Sequence, residues 1–182
     1  MEVKFVYYWE DDPDKSTMRK LKRLGFAREI KEWQIGRSMV LSAFEKSFLL
    51  SSDRVILEKY GLVLLDGTWG NSKNIKKHGF KVQRRLPPLL ASNPVNYGKI
   101  ELLSSVEAAA AALYITGFME ESVNLLSKFK WGPNFIVLNE KPLEDYKNAH
   151  TCSRGETGKD RLYRIKYRSG KKKFRISQTG YR

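Results

Sequence analysis

Asp66 and Trp69 are the residues whose types and spacing first suggest chemistry, because they follow directly on the apolar run 62–65. A continuous run of this kind is typical of a strand buried on both faces of a parallel sheet. Open α/β sheets bind ligands at the carboxyl ends of such strands. There a carboxylate can face a cation, and an indole can cover one by cation–π attraction. The structural alternative is that Asp66 caps the next turn while Trp69 fills the core.

The segment 86–98, LPPLLASNPVNYG, is too rich in turn-forming residues for a helix and too apolar for a solvated linker. Its three prolines fix φ, remove backbone donors and push the preceding residues into extended conformations. Asn-Pro and Tyr-Gly pairs add turn chemistry on either side of Val95. Because the backbone groups of an irregular apolar segment need partners, one solution is to wrap around a polar small molecule. An ordinary buried connector between domains is the alternative.

The charge of the chain predicts an anionic partner. Its 182 residues include 34 Lys or Arg and 20 Asp or Glu, a net charge of +14 at pH 7. Residues 153–182 contain eleven of these cations and only two acidic residues, with four aromatic side chains among them. Cations neutralise phosphates and aromatic rings stack on bases, so we expect RNA or DNA rather than a merely solvated tail. The predicted nucleic-acid contacts are Arg84, Arg85, Lys130, Lys171, Lys172, Lys173 and Arg175.

Several other classes of protein are not supported. A single Cys152 cannot form a disulfide within the chain, which favours a reducing, cytoplasmic compartment. No apolar run is long enough for a signal peptide or a membrane span, so we expect a soluble protein. His78 and His150 are too far apart to give zinc spacing with Cys152, and we expect no metal. Glycine-rich nucleotide-binding motifs and a nucleophile elbow are also absent from the sequence.

The order of predicted elements gives an α/β fold with a mostly parallel N-terminal sheet and an all-α C-terminal half. The predicted strands are 3–9, 39–41 and 62–65. The predicted helices run from Ser16 or Thr17 to Gly25, from Asp53 to Gly61, from Ser104 or Ser105 to Gly117, over 120–129, and over 135–146 with an interruption at Pro142. We predict an α/β domain over 1–91, a helical domain over 92–150 that completes the ligand cleft, and a basic RNA-binding tail over 151–182.

Read in order, the motifs resemble those of the small-subunit ribosomal RNA aminocarboxypropyltransferases, a family that acts late in ribosome biogenesis. The resemblance covers most of 1–148, and Asn-Pro-Val-Asn-Tyr-Gly is its most specific block. Gly67 and Glu101 depart from it, since the family usually has Cys after the motif Asp and often an aromatic residue at position 101. The motifs are 12–17 (DPDKST), 66–69 (DGTW), 85–98 (RLPPLLASNPVNYG), 103–108 (LSSVEA) and 129–132 (FKWG) with Asn139.

The resemblance implies an archaeal member with a SPOUT-like fold, a trefoil knot, and S-adenosylmethionine bound between the two halves. The implied reaction moves the 3-amino-3-carboxypropyl (acp) group to N3 of a pseudouridine or N1-methylpseudouridine in small-subunit rRNA. The implied partner is this rRNA or the pre-ribosomal small subunit, and the implied state is a monomer. A non-catalytic RNA-binding assembly factor and a SPOUT-type RNA methyltransferase are the alternatives.

The same resemblance implies which residues hold the cofactor. Backbone groups near Leu65, Leu86 or Leu89 and Glu101 would hold adenosine, while Thr17 and Ser105 would hold polar groups of the cofactor. Trp69, Leu89 and Leu90 would form an apolar pocket for the methyl group, which leaves the other chain of the sulfonium facing the acceptor. Asp66 is the implied catalytic residue, either as a base for the uridine imide or as a partner of the sulfonium.

Overall fold

A five-stranded sheet forms the centre of the protein, for which a computed structural model describes residues 1–8, 16–43, 45–67 and 79–149. All strand pairs are parallel, in the order β2-β1-β4-β3-β5. The strands are β1 (Val3–Tyr7), β2 (Arg28–Glu29), β3 (Met39–Leu41), β4 (Leu62–Asp66) and β5 (Gln83–Arg84). The helices are α1 (Thr17–Arg23), α2 (Arg54–Tyr60), α3 (Ser105–Ile115), α4 (Met119–Leu126) and α5 (Gly132–Lys147). The predicted α/β class with a parallel sheet is confirmed.

Strand β4 lies in the middle of the sheet and is buried on both faces, as its apolar run predicts. Leu62 and Leu64 belong to the main core, which also contains buried side chains of all five helices. Val63 and Leu65 point to the opposite face and pack in a smaller cluster with Val40 and its neighbours. Asp66 is the last residue of the strand, so its position at the carboxyl edge of the sheet follows from this register.

The helices of the first half begin and end close to the predicted residues. Ser16 is the N-cap of α1, and its Oγ accepts the Arg19 N–H at 3.1 Å. Helix α2 begins after Asp53 and ends at Gly61, whose φ of 81° lies in the left-handed region that favours glycine. The Asp53 side chain, however, makes no capping hydrogen bond to α2.

Asp53 instead joins α2 to the edge strand β5. Its two carboxylate oxygens accept the Nε and Nη2 donors of Arg84, each at 3.0 Å, and Oδ2 also accepts the Leu50 N–H at 3.0 Å. The carboxylate is buried and the guanidinium is partly exposed. A fork of this kind is more directional than a single ion pair and fixes where the chain leaves the sheet after β5.

The C-terminal helices pack closely because small residues occupy their contacts. Helix α3 buries a run of four alanines, Ala109–Ala112, against the sheet and the neighbouring helices. At the start of α5, a Cβ on Gly132 would lie 2.0 Å from the Leu126 carbonyl oxygen, so only glycine allows the turn that follows α4. This close approach gives a structural reason for the glycine of the FKWG motif.

Tyr114 of α3 and Glu144 of α5 form a hydrogen bond of 2.5 Å at the edge of the helical half. Burial, reinforced by this hydrogen bond, raises the pKa of Tyr114 to about 12. The tyrosine therefore stays protonated and donates to the carboxylate, and the same bond lowers the pKa of Glu144. The pair links α3 to the second half of α5.

Three predicted boundaries differ from the structure. Strand β1 ends at Tyr7, and Trp9 lies outside the described residues. Helix α4 ends at Leu126, three residues before the predicted end at 129. The predicted interruption at Pro142 is wrong, because α5 continues through it. Asn139 before the proline and Leu143 after it are buried on one face, so packing outweighs the lost backbone bond.

We expect Asp53→Asn to lower the free energy of unfolding by about 1–3 kcal/mol, because the new amide N–H₂ would face donors that now bind a carboxylate. Urea unfolding followed by circular dichroism measures the change. Glu58→Gln is the matched control, since Glu58 pairs with Arg54 on an exposed surface of α2. The control should stay within about 0.5 kcal/mol of the parent. Equal losses in the two variants would contradict the role given to Asp53.

Candidate active site

Asp66 connects the central strand to the first residues of two helices. Its Oδ2 accepts the Ser16 hydroxyl at 2.5 Å, and its Oδ1 accepts the Ser105 hydroxyl at 2.5 Å. Its backbone carbonyl accepts the Tyr8 N–H at 3.0 Å. The side chain is buried, so these hydroxyls stand where water would otherwise solvate a carboxylate. The carboxyl end of β4 and the starts of α1 and α3 thus meet at one point.

Thr17 strengthens the same junction from α1. Its Oγ1 accepts the backbone N–H of Val106, in the first turn of α3, at 3.2 Å. One of the orphan donors at the start of a helix is therefore satisfied by a side chain from another helix. Thr17, Asp66 and Ser105, three of the predicted cofactor residues, are brought together here from positions far apart in the sequence.

The segment after β5 enters this region through a short strand-like contact. The Arg85 N–H donates to Ser47 at 2.8 Å, and the Arg85 carbonyl accepts the Leu49 N–H at 2.9 Å. Beyond it, the N–H groups of Leu86 and Leu89 have no hydrogen-bond partner within the residues that the structure describes. Leu89 is only 2% exposed. Because buried amides are almost always paired, this open backbone favours a polar ligand at 86–89.

Asn139 of α5 holds the next residue as a neighbouring strand would. Its Oδ1 accepts the Leu90 N–H at 2.8 Å, and its Nδ2 donates to the Leu90 carbonyl at 2.9 Å. The same Nδ2 donates to the Phe135 carbonyl within α5 at 2.9 Å, and Asn139 is buried. Both backbone groups of Leu90 are therefore hydrogen-bonded, whereas the Leu89 N–H has no partner among the described residues.

Residues 93–98, here called the NPVNYG loop, close a tight hairpin. The Ala91 N–H donates to Lys99 and the Ala91 carbonyl accepts the Gly98 N–H, both at 2.8 Å. Asn93 Oδ1 accepts the Asn96 N–H at 3.0 Å across the turn, and Gly98 adopts a φ of 75° that favours glycine. The turn chemistry read from the sequence is thus present as a defined loop.

Glu107 anchors this loop to α3. Its carboxylate is fully buried and accepts five hydrogen bonds of 2.6 to 2.9 Å. The donors are the Ser92 N–H, the Asn93 N–H and Nδ2, and the Ser104 N–H and Oγ. Ser104 is the N-cap of α3, so a capping box also serves as a receptor for the loop.

Other predicted cofactor residues take different positions. Leu86 and Leu90 are half-buried in the segment that follows β5. The Leu65 side chain packs in the smaller cluster, on the face of the sheet opposite the main core that contains Leu89. Glu101 has a φ of 64°, a rare conformation for a non-glycine residue, and donates its N–H to Leu89 at 3.0 Å. Its side chain turns to Arg85, so Glu101 offers no flat surface for stacking. Trp69 lies outside the described residues.

The cations predicted to contact RNA differ in whether an acidic side chain already binds them. The Arg84 guanidinium is bound to Asp53, which disfavours a further role in RNA binding. Arg85 pairs with Glu101 at 2.7 Å on the surface, where the pair is easily exchanged for phosphate. Lys130 is exposed. Lys171, Lys172, Lys173 and Arg175 lie outside the described residues.

Sequence reasoning missed four residues as parts of the site: Ser16, Asn93, Glu107 and Asn139. Ser16 was expected only to cap α1, yet its hydroxyl also donates to Asp66. Glu107 follows Ser104 at the spacing of a capping box, so the sequence predicts its position in α3. The sequence does not predict its hydrogen bonds to Ser92 and Asn93, 15 and 14 residues earlier. Besides its place among the motifs of the resemblance, Asn139 carries a signal of its own, an amide on the apolar face of a predicted helix, where a buried polar group requires a partner.

Two classes of feature are absent from the described part of the chain. No group of three or more His, Cys, Asp or Glu side chains is arranged to hold a metal ion there. None of the helices in these ranges is both long and apolar enough to cross a membrane.

We expect Glu107→Gln to lower the free energy of unfolding by about 2–3 kcal/mol, because the amide N–H₂ would oppose donors that now share the carboxylate. Hydrogen exchange at the Ser92 and Asn93 amides should speed up by more than the global change requires. Urea unfolding and amide exchange by mass spectrometry measure these effects. Glu120→Gln, on the exposed side of α4, is the control. Unchanged exchange at Ser92 and Asn93 would show that Glu107 does not hold the loop.

A family model and several known proteins are similar to this chain. The family model "Ribosome biogenesis protein, C-terminal" matches residues 39–157. A 16S rRNA aminocarboxypropyltransferase from Thermoplasma volcanium is 51% identical over 147 residues, 81% of this chain and 90% of the relative. The protein of the same name from Thermoplasma acidophilum is 46% identical over 81% of this chain and 90% of the relative.

A solved structure supports the same placement. The SAM-dependent rRNA:acp-transferase Tsr3 from Vulcanisaeta distributa superposes with a TM-score of 0.79 at 43% identity, covering 82% of this chain and 84% of that one. Since the family model spans more than half of the chain and these relatives align over about four fifths of it, the chain belongs to the family of the 16S rRNA aminocarboxypropyltransferases.

Proposed function

We propose that this chain transfers the 3-amino-3-carboxypropyl group of S-adenosylmethionine to small-subunit ribosomal RNA. The observation that carries the proposal is the extent of the similarity to transferases of that description, which spans the segments holding Asp66, the NPVNYG loop and Ser105. The arrangement of those segments agrees with it. A buried carboxylate and two hydroxyl side chains lie at the carboxyl edge of a parallel sheet, where such folds bind ligands. The segment 86–89 leaves β5 at the same edge.

The residues present fit the proposed cofactor. The unpartnered amides of Leu86 and Leu89, together with the carbonyls of the two prolines between them, offer the donors and acceptors that an adenine edge requires. Ser105 and Thr17 place hydroxyls near Asp66 for polar groups of the ligand. When bound, S-adenosylmethionine supplies a sulfonium whose three attached carbons are electrophilic, so the group transferred depends on which carbon faces the acceptor.

We propose that Asp66 balances positive charge rather than acting as the base. Each of its oxygens already accepts a hydroxyl hydrogen bond, which favours a fixed charge over an exchanging proton. A buried carboxylate held in this way can face a cation with little reorganisation. The acceptor imide still has to lose its proton as the new N–C bond forms and the S–C bond breaks. Solvent can take that proton, and positioning then accounts for most of the rate.

Finer points of the proposal are the acceptor, the threading of the chain and its working state. The proposed acceptor atom is N3 of a pseudouridine or N1-methylpseudouridine, with Trp69 and Leu90 lining an apolar pocket for the methyl group. The proposed fold is SPOUT-like with a trefoil knot, as the family resemblance implies. We further propose that the protein works as a monomer in the cytoplasm and is of archaeal origin, like its Thermoplasma relatives. The proposed domains are 1–91, 92–150 and 151–182.

A labelled-cofactor experiment tests the reaction. Cofactor labelled in its carboxyl carbon should pass label to a small-subunit decoding-region RNA that carries pseudouridine, with methylthioadenosine released. Cofactor labelled only in its methyl group should leave the RNA unlabelled. Label from the methyl carbon, with release of S-adenosylhomocysteine, would mean a methyltransferase. No transfer of either label, with RNA still bound, would mean a non-catalytic assembly factor.

We expect Asp66→Asn to weaken binding of S-adenosylmethionine about tenfold or more while leaving S-adenosylhomocysteine, which lacks the sulfonium charge, nearly unaffected, because the variant keeps the shape and loses the charge. Isothermal titration calorimetry measures both affinities. Asp145→Asn, a conservative change in the last turns of α5, is the control. If both ligands lose affinity equally, Asp66 acts by shaping the site. If affinity is kept and turnover falls with a changed pH profile, Asp66 is the base.

A further inference from the structure

Residues 95–102 expose more large apolar surface than any other short part of the described chain. Val95 is 83% exposed, Tyr97 60%, Ile100 49% and Leu102 46%. Elsewhere in the described ranges, no stretch of eight residues carries more than two such side chains. Single exposed apolar residues are ordinary, but a cluster of this size marks a binding surface.

We propose that this cluster, the Tyr97 surface (Val95, Tyr97, Ile100 and Leu102), binds unpaired nucleotides of the RNA next to the acceptor base. The inference rests on the proposed function and deepens it, because it assigns a place for the RNA beside the cofactor site. The flanking bases would stack on the Tyr97 ring and lie against the aliphatic side chains, while the acceptor nucleotide enters the site beyond.

The backbone beneath the surface is held rigidly. The Gly98 and Lys99 amides donate to Ala91 and Asn96 at 2.8 and 2.9 Å, and the Ala91 amide returns a bond of 2.8 Å to Lys99. Tyr97 thus stands on a closed hairpin. A stacking platform needs this, because ordering a mobile loop on binding would cost part of the affinity gained.

The hairpin is also fixed with respect to the reacting centre. Glu107 binds Asn93 at one end of the NPVNYG loop and Ser104 at the start of α3. The next residue, Ser105, donates to Asp66. Buried and partly buried hydrogen bonds therefore connect the loop that carries Tyr97 to the carboxylate at the proposed cofactor site. A base stacked on Tyr97 would be held at a constant offset from the proposed donor group.

The charges around the surface favour RNA as its occupant. Lys99 directly follows the NPVNYG loop, and its Nζ lies 3.4 Å from Asn96 Oδ1 within that loop. Lys130 is exposed beside Trp131, whose carbonyl accepts the Ser92 hydroxyl at 2.8 Å. The chain carries a net charge of +14. Exposed aromatic and aliphatic groups with cations nearby suit stacked bases and a phosphate backbone, whereas a protein interface is usually depleted of lysine.

Three variants test the assignment. Tyr97→Ala should raise the dissociation constant for a fluorescent stem-loop of the small-subunit decoding region about tenfold, as loss of one stacked base does. Tyr97→Phe keeps the ring and should bind like the parent. Trp33→Ala is the control, because Trp33 is 81% exposed and lies far from this loop in the sequence. It should leave RNA binding unchanged. The affinity for S-adenosylmethionine should be the same in all three.

A crosslinking experiment supplies an independent readout. The same stem-loop, with 5-iodouridine at the positions that flank the acceptor, should crosslink to Tyr97 on irradiation. Unchanged RNA affinity in Tyr97→Ala with no crosslink at 95–102 would overturn the inference, while acp transfer by that variant would leave the proposed function standing. A fall in cofactor affinity alone would overturn it too, since the loop would then serve the cofactor. So would a Tyr97-dependent dimer in sedimentation, because a second copy would then cover the surface.

Discussion

The buried carboxylate of Glu107 is the constraint on which the candidate site depends. A fully buried carboxylate is stable only when its oxygens are completely hydrogen-bonded, and here five donors satisfy it. Those donors come from two places, the start of the NPVNYG loop and the cap of α3. Neither place can shift without leaving a buried charge partly bare, so the loop and the helix move as one body. Ser105, one residue after the cap, carries this rigidity to Asp66.

Two further side chains hold the segment 86–102 in place. Asp53 fixes the start of the 86–102 segment through Arg84, at the edge of the sheet. Asn139 fixes its middle through Leu90. Between these two anchors, and before the residues that Glu107 holds, lies an opening at 86–89, where the Leu86 and Leu89 N–H groups have no hydrogen-bond partner among the described residues. Because the prolines at 87 and 88 cannot donate, this opening has two amides and several carbonyls, a pattern that a nucleobase edge can match and that water alone satisfies poorly in a buried place.

Local rules predicted much of this fold, and their failures share one cause. The buried run before Asp66, the cap at Ser16, the break at Gly117 and the turns of the NPVNYG loop each follow from a few neighbouring residues. The strands β2 and β5 were missed because two residues give no periodic signal. Pro142 predicts a break in the helix, but α5 continues through it because Asn139 and Leu143 on either side are buried. The sequence around the proline does not show that packing. The sequence predicts Asp53 as a helix cap and Glu107 only as a residue of the helix, whereas each has partners far along the chain. Sequence spacing reveals local bonds, and this site consists mostly of distant ones.

Rigidity of this kind suits a reaction in which orientation decides the product. A sulfonium offers three carbons to an acceptor, and carboxylates are weak bases for a uridine imide, so selectivity has to come from geometry more than from proton transfer. The 86–102 segment places open backbone at one end and exposed aromatic surface at the other, on a single frame held by Glu107. If one frame orients both reactants, a change in its anchoring alters the angle of attack before it alters either affinity. The buried hydrogen bonds that stabilise the fold would then also determine which carbon reacts.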